Sequence, residues 1–359
     1  MKLPPLKIGE LIARVPIIQG GMGVGVSLSG LASAVANEGG IGIISTAQIG
    51  YKEEDFRTNT REANKRALRN EIRCARNLSP KGVIGINIMV AMNNYEEITR
   101  IALEEGIDLI ISGAGLPLDL PKIAKGYKVK LAPIVSSAKA ITIISKMWDK
   151  KNNCAPDLVI VEGPKAGGHL GFSMESLIEN TTQDLKEIVK EVIEAIKPFE
   201  EKYNKKIPVV AAGGIYTGED IAEIIKLGAA GVQMATRFVA TEECDASLDY
   251  KMAYISSKKE DIKLVKSPVG MPGRALDNKF MKIVEENGCK VEKCSLCIKK
   301  CDPRQTPYCI TEALIQAVKG NLDRGLIFVG TNAYKVDKIT SVKELMNELI
   351  TNAELHFNL

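Results

Sequence analysis

One histidine of the sequence stands in a context suited to proton transfer. The chain has two histidines, and the first of them, His169, closes the segment Ala166-Gly-Gly-His169. An imidazole titrates close to neutral pH, which makes it a frequent general acid or base. A glycine-rich loop would expose this ring at the mouth of a cleft. His169 is therefore the catalytic candidate, and the alternative is a loop histidine that only bonds a backbone carbonyl.

Two later segments have the composition of an anion-binding site. Ala211-Ala-Gly-Gly214 and Gln233-Met-Ala-Thr236 each end or follow a short run of β-branched residues. Glycine amides, the start of a following helix and a threonine hydroxyl can all donate hydrogen bonds to a phosphate. A Gly-Gly pair alone is equally typical of a tight turn. Two such segments after neighbouring strands favour the phosphate site.

Four cysteines lie close together in the C-terminal third of the chain. Cys294, Cys297 and Cys301 have the spacing of one helix face, and Cys309 follows after a break. Four thiolates could hold zinc or an iron-sulfur cluster. The spacing differs from standard zinc fingers and ferredoxins, and three cysteines on a helix face also suit burial as small apolar residues. Both interpretations stay open.

A repeated strand-helix pattern must position these residues. Eight β-branched runs each end in Gly, Ser, Asn, Gln or similar small and polar residues before a segment with helical periodicity. Eight units favour a closed (β/α)8 barrel over an open sheet, because closure leaves no strand edge exposed. Reactive groups of such barrels lie at the carboxyl ends of the strands, where the candidates above stand. The runs cover residues 15–19, 40–45, 82–87, 109–112, 130–136, 158–162, 208–212 and 231–234.

The pattern changes after Ala240, which predicts a second part of the chain. We expect a barrel domain over residues 1–240 and a mainly helical, cysteine-containing lobe over residues 241–359, packed on the barrel. Within the barrel, Thr217 and Asp220 have the spacing of a capping box, and Gly228 ends the helix that they begin. A composition of 45% apolar and 26% charged residues excludes a disordered or coiled-coil chain.

Charge and hydropathy exclude several classes of partner. The net charge is +4, its basic excess lies within residues 245–304, and aromatic residues make up 5%. Without a long basic stripe or stacking aromatics, we expect no nucleic-acid partner. No apolar run has the length of a membrane helix or signal peptide. We therefore expect no membrane association, a cytoplasmic location, and cysteines that are thiols or metal ligands rather than disulfides.

Six motifs, in order along residues 16–238, give the chain a family resemblance. It resembles the FMN-dependent nitronate monooxygenases, formerly called 2-nitropropane dioxygenases, and the similar FMN-dependent enoyl-(acyl-carrier-protein) reductases. The resemblance implies a (β/α)8 TIM barrel with FMN at its mouth. The motifs are Pro16-Ile-Ile-Gln-Gly-Gly-Met22, Gly85-Ile-Asn-Ile-Met89, Ser112-Gly-Ala-Gly115, Glu162-Gly to Ala166-Gly-Gly-His169, Ala211-Ala-Gly-Gly214 and Gly231-Val-Gln-Met-Ala-Thr-Arg-Phe238.

The resemblance also implies roles for individual residues. It makes His169 the catalytic residue, and it gives Glu162 two alternative roles, contact with the flavin region or orientation of the glycine-rich loop. Gly21 and Met22 would lie against the isoalloxazine ring, and Asn87 would bond the flavin or its ribityl chain. Residues at the phosphate end would be Gly213, Gly214, Gln233 and Thr236. The other cofactor-binding candidates are Ser112, Gly168, Ala212 and Met234.

Two activities follow from the resemblance. As a monooxygenase, the enzyme would oxidise a small alkyl nitronate, with O2 completing conversion to a carbonyl compound and nitrite. His169 would bond the nitronate oxygens or take a proton from a neutral nitroalkane. As a reductase, it would use NAD(P)H to reduce an enoyl thioester, with an acyl carrier protein as partner and His169 stabilising or protonating the enolate. Glu162-Gly163 resembles the reductases.

The monooxygenase is the leading prediction, because the cysteine-rich segment is not a feature that we associate with the reductases. A homodimer is the expected assembly. A catalytically silent flavin-binding module and a flavin-free barrel acting on a phosphorylated sugar are further alternatives. The colour of the purified protein would separate the flavin-free barrel from the rest.

Overall fold

The centre of the molecule is a closed barrel of parallel strands. The computed structural model describes residues 2–357. Their strands are β1 Leu6–Ile8, β2 Leu11–Ala13, β3 Ile17–Gln19, β4 Ile41–Ser45, β5 Val83–Met89, β6 Leu109–Gly113, β7 Lys130–Val135, β8 Val159–Glu162, β9 Gly168–His169, β10 Val209–Ala212, β11 Gly231–Met234, β12 Ile262–Lys266 and β13 Pro272–Leu276. The barrel has the order β10-β11-β3-β4-β5-β6-β7-β8, and its strands correspond to the eight predicted runs. The predicted (β/α)8 TIM barrel is confirmed.

Helices cover the outside of the barrel. They are α1 Ser29–Asn37, α2 Thr60–Leu78, α3 Tyr95–Glu104, α4 Leu120–Ile123, α5 Ala138–Asn152, α6 Met174–Ile178, α7 Leu185–Tyr203, α8 Gly218–Lys226, α9 Thr236–Val239, α10 Leu248–Ile255, α11 Lys279–Asn287, α12 Ile310–Val318 and α13 Val342–Phe357. The predicted capping box of Thr217 and Asp220 begins α8. None of these helices combines the length and the apolar composition needed to cross a membrane.

The period of two along each strand divides the core into two layers. Ile41 and Ile43 of β4 pack inside the barrel with Leu109 and Ile111 of β6 and with the β1-β2 hairpin. The neighbouring positions, such as Ile110, pack outward against the helices. Successive strand side chains point to opposite faces, so the last inward position of each strand faces the mouth of the barrel.

The C-terminal part of the chain contacts the barrel domain through the helix α13 and through the strand β13. The helix α13 packs against α8 and α1, where the outer helix following β11 belongs in such a barrel. The strands β12 and β13 form an antiparallel hairpin, and β13 also pairs with β9. This part therefore contains a hairpin besides the expected helices. The division at residue 240 stays a prediction, and its outer ends, residues 1 and 359, lie outside the described residues.

The helix predicted across the first three clustered cysteines is wrong. Residues 288–309 contain no helix, and Leu296 has a left-handed backbone with φ 49°. The segment is tied to the loop that follows β5: Asn93 donates its backbone N–H to the carbonyl oxygen of Cys297 at 3.1 Å, and Met92 forms a β-bridge with Ile298. These long-range bonds compete successfully with local helix formation.

Candidate active site

A cavity of about 410 Å³ opens at the carboxyl ends of the barrel strands. This volume lies within the usual range for small-molecule and cofactor sites. Apart from Ser112, the residues predicted to act at the site all line it. They are Gly21, Met22, Asn87, Glu162, Gly168, His169, Ala212, Gly213, Gly214, Gln233, Met234 and Thr236.

Ser112 lies outside the cavity. Its hydroxyl is fully buried and lies 2.9 Å from the hydroxyl of Tyr95, the first residue of α3. Strand alternation explains this position, because Ser112 shares the outward face of β6 with Ile110, whereas Gly113 faces the cavity. The sequence contains this signal, since Leu109 and Ile111 are the inward residues of the same strand.

His169 is held by residues from the C-terminal part of the chain. Its Nε2 lies 2.7 Å from the hydroxyl of Ser267, and the ring of Phe328 meets the imidazole edge-on at 5.0 Å. Burial lowers the pKa of His169 to about 4, so the imidazole is neutral at physiological pH. The geometry therefore presents an uncharged ring of fixed orientation to the cavity.

The segment that carries His169 is fixed by backbone pairing. His169 pairs with Gly273 of β13, and Leu170 donates its N–H to the carbonyl of Pro272 at 2.8 Å. The guanidinium of Arg274 donates to the carbonyl of Ala166. The loop thus becomes the third strand of a small sheet.

Several residues of the site were not anticipated from the sequence. Ser267 and Phe328 contact His169, and Tyr254 donates its hydroxyl to the carbonyl of Phe328 at 2.5 Å. These residues lie roughly 85 to 160 positions after the histidine and belong to no glycine-rich motif. The only local signal is the break Ser267-Pro-Val-Gly-Met-Pro-Gly273, which marks the turn between β12 and β13.

Glu162 points into the barrel from the end of β8. It follows the inward residues Leu158 and Ile160 at the strand period of two and lines the cavity. Within residues 2–357 its carboxyl group has no hydrogen-bond partner. Burial raises the pKa of Glu162 to about 8, because the charged form is poorly solvated there. The cavity therefore contains a carboxyl group that is largely protonated at neutral pH.

The residues at one end of the cavity fit the phosphate and ribityl parts of FMN. Gly213 and Gly214 have φ values of 96° and 87°, which glycine adopts without strain. The side-chain oxygen Oε1 of Gln233 is sealed from solvent and has no partner in the described residues. An acceptor in this state is costly unless a ligand donates to it. Thr236 adds a hydroxyl to the same lining.

Small residues form a further part of the cavity lining. Gly21 leaves no room for a side chain, since a Cβ atom built there would lie 2.3 Å from the Cβ of Asn87. At Gly168 (φ 72°) a Cβ would meet no atom within 4 Å and would project into free space. The backbone N–H of Met22 is fixed by the hydroxyl of Ser27 at 2.9 Å. The open space beside Gly168 is compatible with a planar ligand, whereas Gly21 allows the side chain of Asn87 to lie against the backbone.

The clustered cysteines do not form an ion-binding centre in the described geometry. Across residues 2–357, no three or more His, Cys, Asp or Glu side chains converge as ligands of a metal ion. Cys294 is exposed, while Cys297, Cys301 and Cys309 are half-buried. Cys297 and Cys301 pack against an apolar cluster that includes Tyr308. This environment agrees with the interpretation of small apolar residues.

The sequence matches a known protein family and several curated relatives. The sequence profile of the nitronate monooxygenase family matches residues 5–352. A probable nitronate monooxygenase of Staphylococcus saprophyticus is 27% identical, over 80% of this chain and 82% of its own length. The (3aS,4S,5R,7aS)-5-hydroxy-7a-methyl-1-oxo-octahydro-1H-indene-4-carboxyl-CoA dehydrogenase of Rhodococcus jostii is 25% identical, over 94% of this chain and 92% of its own length.

The solved structures include close matches in fold. FabK from Thermotoga maritima superposes with a TM-score of 0.75 at 26% identity, covering 96% of this chain and 94% of its own. The family match extends over nearly the whole chain, including the C-terminal residues that hold His169. The chain therefore belongs to the nitronate monooxygenase family of FMN-dependent oxidoreductases.

Proposed function

We propose that this protein oxidises alkyl nitronates, with FMN bound in the barrel cavity and O2 as the final oxidant, to a carbonyl compound and nitrite. One observation carries the proposal. A neutral, oriented imidazole, that of His169, lines the same cavity as a glycine cradle and the unpartnered amide oxygen of Gln233. A catalytic group and a cofactor cradle thus share one cavity.

The residues divide the binding of FMN between them. Gly213, Gly214 and Thr236 would hold the phosphate through backbone N–H groups and a hydroxyl. Gln233 would accept a hydrogen bond from the ribityl chain, which would satisfy its Oε1. Asn87 would bond the ring edge. The other predicted residues, Gly21, Met22, Glu162, Gly168, Ala212 and Met234, also line the cavity and would pack against the cofactor.

The bound flavin would supply the redox chemistry, taking electrons from the nitronate and passing them to O2. The chain itself would bind and orient the substrate. A nitronate carries its negative charge on two oxygens, and His169 would donate a hydrogen bond to one of them. The apolar edge of Phe328 fixes the ring orientation and helps to keep water from it. A side chain that holds the substrate in a reactive orientation lowers the activation free energy of the reaction.

A second activity, reduction of an enoyl thioester with NAD(P)H as donor, is favoured by Glu162. Its protonated carboxyl group lies in the cavity and could stabilise an enolate there. The Rhodococcus relative is named as acting on a CoA thioester. An acyl carrier protein would then be the partner. A homodimer remains our expectation for either activity.

The proposed activity can be tested by O2 consumption and nitrite release with propyl-2-nitronate. We expect saturable turnover with equal amounts of carbonyl product and nitrite, and with about one O2 consumed for every two carbonyl molecules formed, because each turnover adds one oxygen atom. His169→Asn should lower kcat/KM by on the order of 10² while flavin content is unchanged. The matched control is His356→Asn, because His356 lies in α13 and its side chain has no role in the cavity.

Two results would contradict the proposal. The first is the absence of nitrite from flavin-loaded protein, together with NADH- or NADPH-dependent reduction of an enoyl thioester, which would favour the second activity. The second is unchanged turnover by His169→Asn, which would remove His169 from the mechanism.

A further inference from the structure

Ser267 is the only hydrogen-bonding partner of the His169 ring among the described residues. Its hydroxyl oxygen lies 2.7 Å from Nε2 and also accepts the backbone N–H of Val269 at 3.3 Å. The residue is 9% exposed. No other acceptor for its hydroxyl proton is found within residues 2–357. Nε2 of His169 is therefore the place where this proton can go.

The direction of this bond determines the tautomer of the imidazole. A buried hydroxyl that donates to nothing is unfavourable, so the Ser267 O–H donates and Nε2 accepts. A neutral imidazole carries one proton, and an accepting Nε2 leaves that proton on Nδ1. Nδ1 has no partner in the described part of the chain. The ring therefore has an N–H donor left for a ligand.

We propose that Ser267 is a positioning residue that fixes His169 as the Nδ1–H tautomer, so that the site accepts preformed anionic nitronates and does not deprotonate neutral nitroalkanes. The choice of substrate form rests on the proposed function. The Nδ1–H group donates a hydrogen bond to a nitronate oxygen. It has no lone pair with which to remove a carbon-bound proton, and no proton is transferred to the ring.

The surroundings of the ring agree with this assignment. A general base would become an imidazolium, and within residues 2–357 no carboxylate bonds to the His169 ring to stabilise that cation. The charged or titratable groups nearby are engaged or neutral: Arg274 of β13 donates to the carbonyl of Ala166, and Glu162 of β8 is largely protonated at neutral pH. Burial alone lowers the pKa of His169, so an imidazolium at this position would be poorly solvated.

The tautomer can be observed directly, because the chain has only two histidines. The variant His356→Gln leaves His169 as the single imidazole, and ¹⁵N-histidine labelling then gives one pair of ring nitrogen signals. At pH 7 we expect a protonated Nδ1 and an unprotonated Nε2. Ser267→Ala should move both signals towards a mixture of tautomers. Ser145→Ala is the matched control, since Ser145 is a buried serine of α5 whose hydroxyl has no partner in the described part of the chain.

Two NMR results would overturn the assignment. One is a protonated Nε2 in the parent protein. The other is a pair of ring signals that Ser267→Ala leaves unchanged while circular dichroism shows intact folding. Neither measurement depends on flavin content or on turnover, so the assignment of Ser267 can be judged separately from the proposed function.

Kinetics test the consequence for the substrate. We expect kcat/KM for propyl-2-nitronate to exceed that for neutral 2-nitropropane by on the order of 10² or more. Ser267→Ala should lower kcat/KM for the nitronate by about tenfold and reduce the ratio of kcat/KM between the nitronate and 2-nitropropane. Ser145→Ala should leave kcat/KM for the nitronate and this ratio unchanged. Equal use of both substrates by the parent protein would overturn the inferred preference. If neither substrate is turned over while the NMR result holds, the proposed function fails and the role of Ser267 stands.

Discussion

Replacing Gln233 by leucine is expected to stabilise the flavin-free protein and to weaken FMN binding at the same time. Oε1 of Gln233 is sealed from solvent and has no hydrogen-bond partner within residues 2–357. A buried acceptor in that state costs about 1–3 kcal/mol, and leucine, of similar volume, removes this cost. The free energy of unfolding of the flavin-free variant should therefore rise by about 1–2 kcal/mol.

The same change removes an acceptor that FMN would use. Losing about 1.4–2.8 kcal/mol of binding free energy raises Kd by about 10- to 100-fold. Urea unfolding of the flavin-free protein gives the first quantity. Fluorescence quenching of added FMN gives the second.

Gln19 offers a matched control on the neighbouring strand. It is fully buried, and its Oε1 accepts the backbone N–H of Ile43 at 3.0 Å. Gln19→Leu leaves that N–H unpaired, so it should destabilise the flavin-free protein by about 1–3 kcal/mol. The reasoning fails if both variants change stability in the same direction, or if Gln233→Leu binds FMN as tightly as the parent.

Two further predictions concern the rest of the cavity. The raised pKa of Glu162, about 8, means that the folded protein holds a proton that the unfolded chain releases above about pH 4.5, so stability falls as pH rises from about 4.5 to 8. Glu162→Gln should remove this loss of unfolding free energy, which is at most about 5 kcal/mol. Urea unfolding at pH 5 and pH 8 measures it, and an equal pH dependence in the parent and the variant would contradict the prediction. Gly214→Ala should weaken FMN binding at least tenfold, because Gly214 has a positive φ and its Cβ would lie 2.9 Å from Lys165. Gly106→Ala, with a similar φ but open space, should lower stability by about 1 kcal/mol and leave the affinity unchanged.

The barrel could be predicted from the sequence because each of its strands is a short, nearly continuous apolar run. Parallel strands buried on both faces require such runs, and the glycines and polar residues that end them lie together at one rim. Of the 13 residues predicted to act at the site, 12 line the cavity. Ser112 was misplaced because the end of a strand was considered without its alternation: Ile111 points inward, so Ser112 points outward to Tyr95.

The residues that orient His169 could not be found in the same way. Ser267 and Phe328 are common residue types, and their contact with the histidine depends on the pairing of β13 with β9 across a long stretch of sequence. The helix predicted for the cysteine segment was wrong for a related reason. Its spacing fits a helix, but bonds from Cys297 and its neighbours to the loop after β5 determine the backbone instead. Long-range pairing outweighed local periodicity at both places.

Anaerobic mixing of the flavin-loaded protein with propyl-2-nitronate tests the central claim most directly. Our account predicts loss of oxidised-flavin absorbance at a rate that saturates with nitronate concentration and falls on the order of 10² in His169→Asn. Flavin that stays oxidised with the nitronate but is rapidly reduced by NADH or NADPH would contradict it.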